Sequence, residues 1–164
     1  MQFDSGVSGE RFKACMSRFA TGVTVVTTID SVGAMYGVTV SSFNSVSLNP
    51  PLVLFSMERS SSRFPVFSGC SRFIVNILSD GQKSISEDFA ERREGHWERC
   101  DFLISDGMPI LCGIVAYLKC SVYGRYDGGD HDIIVGRVLE CNLLDEEDSL
   151  LYYRGRYWMI GDRL

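Results

Sequence analysis

Short hydrogen-bonding side chains crowd one stretch of this chain. Between residues 37 and 51 stand Thr39, Ser41, Ser42, Asn44, Ser45 and Ser47, interleaved with Val38, Val40, Val46 and Leu48 and closed by Asn49-Pro50-Pro51. Period-two alternation with β-branched residues predicts a strand, and Asn-Pro-Pro is a breaker. One face of that strand is apolar and the other rich in hydroxyls. It is either an ordinary solvated edge or a surface that packs on the core and offers donors to a flat, polar ligand. A second concentration follows at Arg59-Ser60-Ser61-Ser62-Arg63, after an apolar run and before a short helical pattern. Free N–H groups at a helix start and a planar guanidinium both match a phosphate, so the segment is a candidate anion site; the alternative is a solvated, helix-capping loop. His131 stands in Gly128-Gly129-Asp130-His131-Asp132, at the tip of an expected hairpin, where a histidine is commonly just an exposed turn residue. Tyr153-Arg154-Gly155-Arg156-Tyr157 alternates aromatics with arginines, a pattern that ordinarily packs its rings inward and leaves its charges in water.

Motifs for other chemistries are missing. There is no G-x-S-x-G elbow, no G-x-x-x-x-G-K-[ST] loop and no G-x-G-x-x-G after a strand, so nucleophile-triad, P-loop and Rossmann sites are unsupported. Six cysteines (Cys15, Cys70, Cys100, Cys112, Cys120, Cys141) lie far apart with no C-x-x-C pair, beside only two histidines, which argues against a zinc site. They are expected to be reduced and mostly buried as small hydrophobes. The net charge of −5, without a basic block interleaved with aromatics, makes nucleic acid an unexpected partner. No apolar run approaches the ~20 residues of a membrane helix, and the start lacks a charged-then-apolar leader. No membrane association and a cytoplasmic location are therefore expected. The length suits one domain spanning residues 1–164.

Elements must position these residues. A helix starting near Gly9, capped by Ser8 or Ser5, carries Phe12, Cys15, Met16 and Phe19 at helical spacing, a stripe read as core packing. Residues 23–29 alternate Val and Thr as a strand, and Asp30-Ser31-Val32-Gly33 turns it into the hydroxyl-rich one. Residues 52–57 form a continuous apolar run, read as a strand buried on both faces, and residues 72–78 another buried strand. Residues 82–93 read as a surface helix with Ile85 and Phe89 facing inward; residues 94–106 as an irregular lid or connector, with His96 on the surface. Residues 114–126 and 133–144 make a long hairpin, residues 145–148 an acidic turn, and residues 151–160 a last strand rich in tyrosine. This pattern predicts a mainly β protein, a closed, Greek-key-like β-barrel with flanking helices.

The hydroxyl-rich stretch resembles the signature of the flavin reductase-like family, the FMN-binding split barrels that serve two-component monooxygenases. Four further features stand in the same order: Phe19-Ala20-Thr21-Gly22-Val23-Thr24-Val25-Val26-Thr27-Thr28 upstream, then Phe73-Ile74-Val75-Asn76-Ile77-Leu78, Gly129-Asp130-His131 and Tyr153-Arg154-Gly155. The likeness runs from about Phe12 to Met159. It implies an NAD(P)H-dependent oxidoreductase that reduces FMN or FAD with NADH or NADPH, forms a homodimer and supplies reduced flavin to a partner monooxygenase. An electron-transfer protein of the same fold that retains its FMN is the alternative. By the same resemblance, Val38, Thr39, Val40, Ser41 and Ser42 line the isoalloxazine edge and Asn44 and Ser45 lie towards the ribityl chain. Arg59, Ser60 and Ser61 take the phosphate, while Ala90 and Glu91 close over the ribityl or phosphate side. His131 orients the nicotinamide as the one catalytic residue, and Tyr153 and Arg154 touch NAD(P)H. A flavin carries the redox chemistry itself, which accounts for the missing acid–base constellation.

Overall fold

The computed structural model describes residues 6–91, 95–144 and 147–161. In chain order they form α1 (Gly9–Met16), β1 (Thr21–Gly22), β2 (Thr24–Ile29), β3 (Met35–Val40), β4 (Asn44–Leu48), β5 (Pro51–Glu58), α2 (Phe64–Gly69), β6 (Arg72–Leu78), α3 (Lys83–Glu91), β7 (Phe102–Ser105), β8 (Met108–Leu111), β9 (Ile114–Gly128), β10 (His131–Leu143), β11 (Leu151–Tyr153) and β12 (Arg156–Trp158). Seven strands follow one another as β3-β2-β6-β9-β10-β5-β4, every neighbouring pair antiparallel. Two small sheets, β1-β11-β12 and β7-β8, flank them. The expected mainly β architecture with outlying helices is what the chain builds.

Strands β3 and β4 are neighbours in sequence yet stand at opposite ends of the seven-strand order. The sheet therefore curls until its two ends meet across residues 41–43. Side chains from β2, β3, β5, β6, β9 and β10 fill its interior, including Val26, Val40, Phe55, Phe73, Cys120 and Ile134. Phe55 packs edge-on against Phe73 at 5.2 Å and against Phe67 of α2 at 6.2 Å. Each such fully buried ring contributes about 1.5–3 kcal/mol of transfer free energy. A second core on the other face of β2 and β6 joins Val25, Ile74 and Leu78 to Phe89, Leu111 and Ile114. Asn76 sits fully buried between them: its Nδ2 donates to the Val25 carbonyl at 2.9 Å and its Oδ1 accepts from the Leu111 N–H at 2.9 Å, so its burial leaves no group unmet.

The structure differs from the expectation at several elements. Residues 37–51 are two strands, because the chain leaves the β2 edge after Val40 and the Ser42 hydroxyl accepts the Ser56 N–H of β5 at 2.9 Å. Val46 and Leu48 consequently face outward instead of joining the core. In β5 only Val53, Phe55 and Met57 are fully buried, so one face carries the core contact. Ser8 does cap α1, accepting from the Arg11 N–H, but α1 ends at Met16 and has no buried residue; Phe12 is 56 % exposed, and Phe19, beyond the helix, 66 %. Residues 95–106 contain a 3-10 turn (His96–Arg99) and β7, and the His96 ring packs edge-on against Phe89 at 4.7 Å. Residues 151–160 are a hairpin, folded back where Arg154 (φ 53°) and Gly155 (φ 73°) take left-handed conformations. All six cysteines are free thiols, but Cys15 and Cys141 are exposed. Arg92, Arg93 and Glu94, and Asp145 and Glu146 of the acidic turn, lie outside the described residues.

Candidate functional site

A cleft of about 310 Å³ opens where the two ends of the curled sheet meet. The end of β3 supplies Val38, Thr39 and Val40 and the link beyond it Ser41 and Ser42. Strand β5 supplies Ser56, Met57 and Glu58, the loop into α2 supplies Ser61 and Arg63, α3 supplies Ala90, and the β9–β10 tip supplies His131. Sequence-distant groups thus reach one place because the barrel brings the ends of β3 and β5 together. A larger cleft of about 500 Å³ lies at the other end of β2, between the Asp30 turn and α2. It gathers none of the site residues expected from sequence, whereas the smaller cleft gathers eight of them, Val38, Thr39, Val40, Ser41, Ser42, Ser61, Ala90 and His131, and is the candidate site.

Each wall is held by identifiable bonds. Thr39 donates its hydroxyl to the Ser86 carbonyl of α3 at 2.7 Å, tying the strand end to the helix. Gly37 makes that approach possible, since a Cβ there would stand 2.4 Å from Cε1 of Phe89. Phe89 in turn fixes its neighbour Ala90 at the cleft. Arg63 is only 7 % exposed, and its Nη1 donates to the Phe89 carbonyl at 2.6 Å. The Ser61 hydroxyl accepts the Arg63 N–H at 3.3 Å, folding the loop so that serine and guanidinium line the same wall. Arg63 brings positive charge and Glu58 negative charge to a cleft that otherwise carries hydroxyls, apolar side chains and His131; the Ser61–Arg63 corner is the part of it suited to an anion.

His131 begins β10, opposite Glu58 of β5. Its Nδ1 lies 2.6 Å from Asp130 Oδ1. An ionised carboxylate only accepts, so Nδ1 carries the proton and donates it. This hydrogen bond, aided by charge attraction, holds the Asp130 carboxyl below its ordinary value.

Other residues expected from sequence stand apart from this cleft. Asn44 and Ser45 are exposed on β4, where Asn44 Oδ1 accepts the Ser45 N–H. Ser60 donates to Glu58 Oε1 at 2.7 Å, and Glu91 is exposed one residue beyond Ala90. The Arg59 guanidinium turns to the β9–β10 tip, where it meets Asp127, Gly129 and Asp132. Tyr153 and Arg154 lie at the turn of β11–β12, with the guanidinium 5.2 Å over the Tyr153 ring. From that hairpin it is Tyr152 and Tyr157 that reach the site region. With Val23 and Ser86 they line a compartment of about 150 Å³ that shares Thr39, Ser41 and Ala90 with the main cleft, and the Tyr157 and Ser86 hydroxyls are 2.9 Å apart. Arg63 belonged to the candidate anion segment but not to the residues the resemblance assigned to the phosphate, and Ser56, Met57, Glu58, Tyr152 and Tyr157 were not selected from sequence at all. The serine triplet flanked by two arginines was the signal for Arg63; the folding back at Arg154 left no signal for the two tyrosines.

The family model described as "Flavin reductase like domain" matches residues 16–161. A "Flavin reductase" of Pseudomonas putida is 40 % identical, over 93 % of this chain and 91 % of that protein. The "Flavin-dependent monooxygenase, reductase subunit HsaB" of Rhodococcus jostii is 38 % identical, over 92 % of this chain and 77 % of that protein. Among solved structures, the Streptomyces globisporus C-1027 NADH:FAD oxidoreductase SgcE6, described in complex with NAD and FAD fragments, superposes with a TM-score of 0.87 at 31 % identity, covering 93 % of this chain and 92 % of that one. With its strand order, its cleft at the sheet ends and these matches, the chain belongs to the flavin reductase-like family.

Proposed function

We propose that this chain is an NAD(P)H:flavin oxidoreductase that reduces FMN or FAD with hydride from NADH or NADPH and supplies the reduced flavin, by diffusion, to a partner flavin-dependent monooxygenase. The observation that carries this reading is the convergence of the β3 hydroxyls, the Ser61–Arg63 corner and His131 on one cleft. The donor set fits a flavin. Ser41, Ser42 and the backbone at the end of β3 offer hydrogen bonds to a polar ring edge, Val38, Val40 and Met57 offer apolar wall, and Ser61 with Arg63 matches a phosphate. Bound flavin supplies the redox chemistry, accepting two electrons as hydride.

The chain's own work is positioning. Val38, Thr39, Val40, Ser41 and Ser42 orient the ring, Ser61 and Arg63 offset the phosphate charge, and Ala90 closes over the ribityl or phosphate side; Asn44, Ser45 and Glu91, which lie outside the cleft, could meet only a part of the ligand that extends beyond it. His131, its Nδ1–H held by Asp130, orients the nicotinamide, with Tyr153 and Arg154 as outlying dinucleotide contacts. Holding donor and acceptor together away from water lowers the barrier without an acid–base pair. A homodimer belongs to the same proposal, since α1 presents Phe12 and Met16 and the turn after it Phe19 to water, apolar surface of the kind a second copy covers. A single-chain mass by light scattering would remove the dimer. Among the described residues no helix is long and apolar enough to cross a membrane, and the reading includes a cytoplasmic location.

The test is steady-state oxidation of NADH and of NADPH by the purified protein, with and without FMN, FAD or riboflavin. Turnover that requires and saturates with added flavin is expected. A protein that purifies yellow and turns over no free flavin would instead be an electron carrier that retains its FMN.

A further inference from the structure

Arg59 follows β5 directly, and all four of its bonds fall on the six residues around His131. Its backbone N–H donates to the Asp130 carbonyl at 3.0 Å. Its Nε donates to Asp132 Oδ1 at 2.7 Å, its Nη1 to the Gly129 carbonyl at 2.8 Å and its Nη2 to Asp127 Oδ1 at 2.6 Å. These acceptors lie on both arms and at the apex of the β9–β10 tip, so one planar fork spans the whole turn. Backbone pairing continues to the end of the hairpin, His131 and Asp132 standing opposite Gly128 and Asp127 of β9 and opposite Glu58 and Met57 of β5, but side-chain packing does not. Asp127, Gly128, Gly129 and Asp130 are exposed, Gly129 has φ +82°, and none of the four belongs to either core cluster. Single exposed ion pairs contribute little to global stability, but a guanidinium with three simultaneous acceptors selects one conformation of a local segment.

We infer that Arg59 is a positioning residue for His131: it fixes the β9–β10 tip so that the imidazole is presented to the dinucleotide, and it does not bind the flavin phosphate. The inference rests on the reading of His131 proposed above. It divides the two arginines that flank the serine triplet between two tasks. Arg63 lines the cleft wall with Ser61, while Arg59 is outside the cleft lining and orders the hairpin. Lysine at position 59 would keep the charge but present a single nitrogen, able to meet only part of the acceptor set.

The experiment compares Arg59→Ala, Arg59→Lys, His131→Ala and the Arg59→Ala/His131→Ala double variant. The readouts are FMN affinity by fluorescence titration, amide hydrogen exchange at the tip in flavin-free protein, and kcat and KM for NADH. Arg59→Ala is expected to leave FMN affinity within about twofold, to speed exchange at residues 129–132, and to lower kcat/KM for NADH about tenfold to a hundredfold, as misplacement of an orienting group does. Arg59→Lys should fall between it and the parent. The double variant should be no slower than His131→Ala alone, because a residue acting through another is silent once that other is gone. Loss of FMN affinity in Arg59→Ala would make Arg59 a phosphate ligand and overturn the inference. Unchanged exchange and kinetics, or additive losses in the double variant, would overturn it equally. Should His131→Ala alone keep full kcat/KM for NADH, the reading of His131 fails first, visibly and without any Arg59 variant, and this inference falls with it.

Discussion

His131 and Asp130 make a pair whose titration carries information about the site. The His131 hydrogen bond favours the ionised carboxylate, so the Asp130 carboxyl titrates below its ordinary value. The pair is therefore intact above the ordinary carboxylate range and is lost as pH falls through the depressed folded value. In His131→Ala the Asp130 carboxyl should titrate upward, read by NMR of the side-chain carbon, and kcat/KM for NADH should fall by about one to two orders of magnitude. An Asp130 carboxyl that titrates unchanged in the variant would show that the bond is absent in solution. Much at this scale was legible in the sequence: Thr39, Ser41, Ser42, Ser61, Ala90 and His131 all line the cleft. Arg59 and Arg63 were not separable, because they flank the serines symmetrically in sequence. Only the fold decides that position 63 is buried against the end of α3 while position 59 meets the β9–β10 hairpin.

Helix α3 reaches the site only because β3 lets it approach. The Phe89 ring lies over Gly37, where a Cβ would meet ring carbons at 2.4 and 2.6 Å. That ring has nowhere to retreat, being fully buried and braced edge-on by His96 and Trp97. Gly37→Ala is expected to cost about 1–3 kcal/mol through overpacking, measured by urea unfolding, and to weaken flavin binding by displacing Ala90. An unshifted urea midpoint would mean the helix does not press on the strand. Alternation in the sequence located nearly every strand but could not tell one strand from two. Residues 37–51 keep their alternation across the Ser41–Ser42 corner, and residues 151–160 keep theirs across Arg154 and Gly155, so both breaks were hidden. The apolar stripe of α1 had the right period for a core helix, but periodicity reports an apolar face and not what covers it.

At the scale of the molecule, the seven-strand order explains why the site lies where it does. A curled sheet whose ends meet without a shared ladder leaves a cleft at the junction, and short polar side chains at 39–42 furnish it. The barrel class was readable from short strands and hairpin turns. The order of strands was not, because β3 and β4 adjoin in sequence while the pairing of β4 with β5 rests on contacts that no local pattern records. If the junction cleft is where flavin is reduced, filling it must abolish binding without unfolding the chain. Ala90 is an exposed position at the cleft wall, suited to a large side chain that projects into it. The decisive measurement is a flavin titration of Ala90→Trp beside the parent protein, with circular dichroism to establish that both are folded. The account predicts a folded variant whose FMN and FAD affinities drop by at least about tenfold, with flavin-dependent NADH oxidation falling in step. A folded Ala90→Trp that binds and reduces flavin as the parent does would place the reaction outside this cleft and contradict the account.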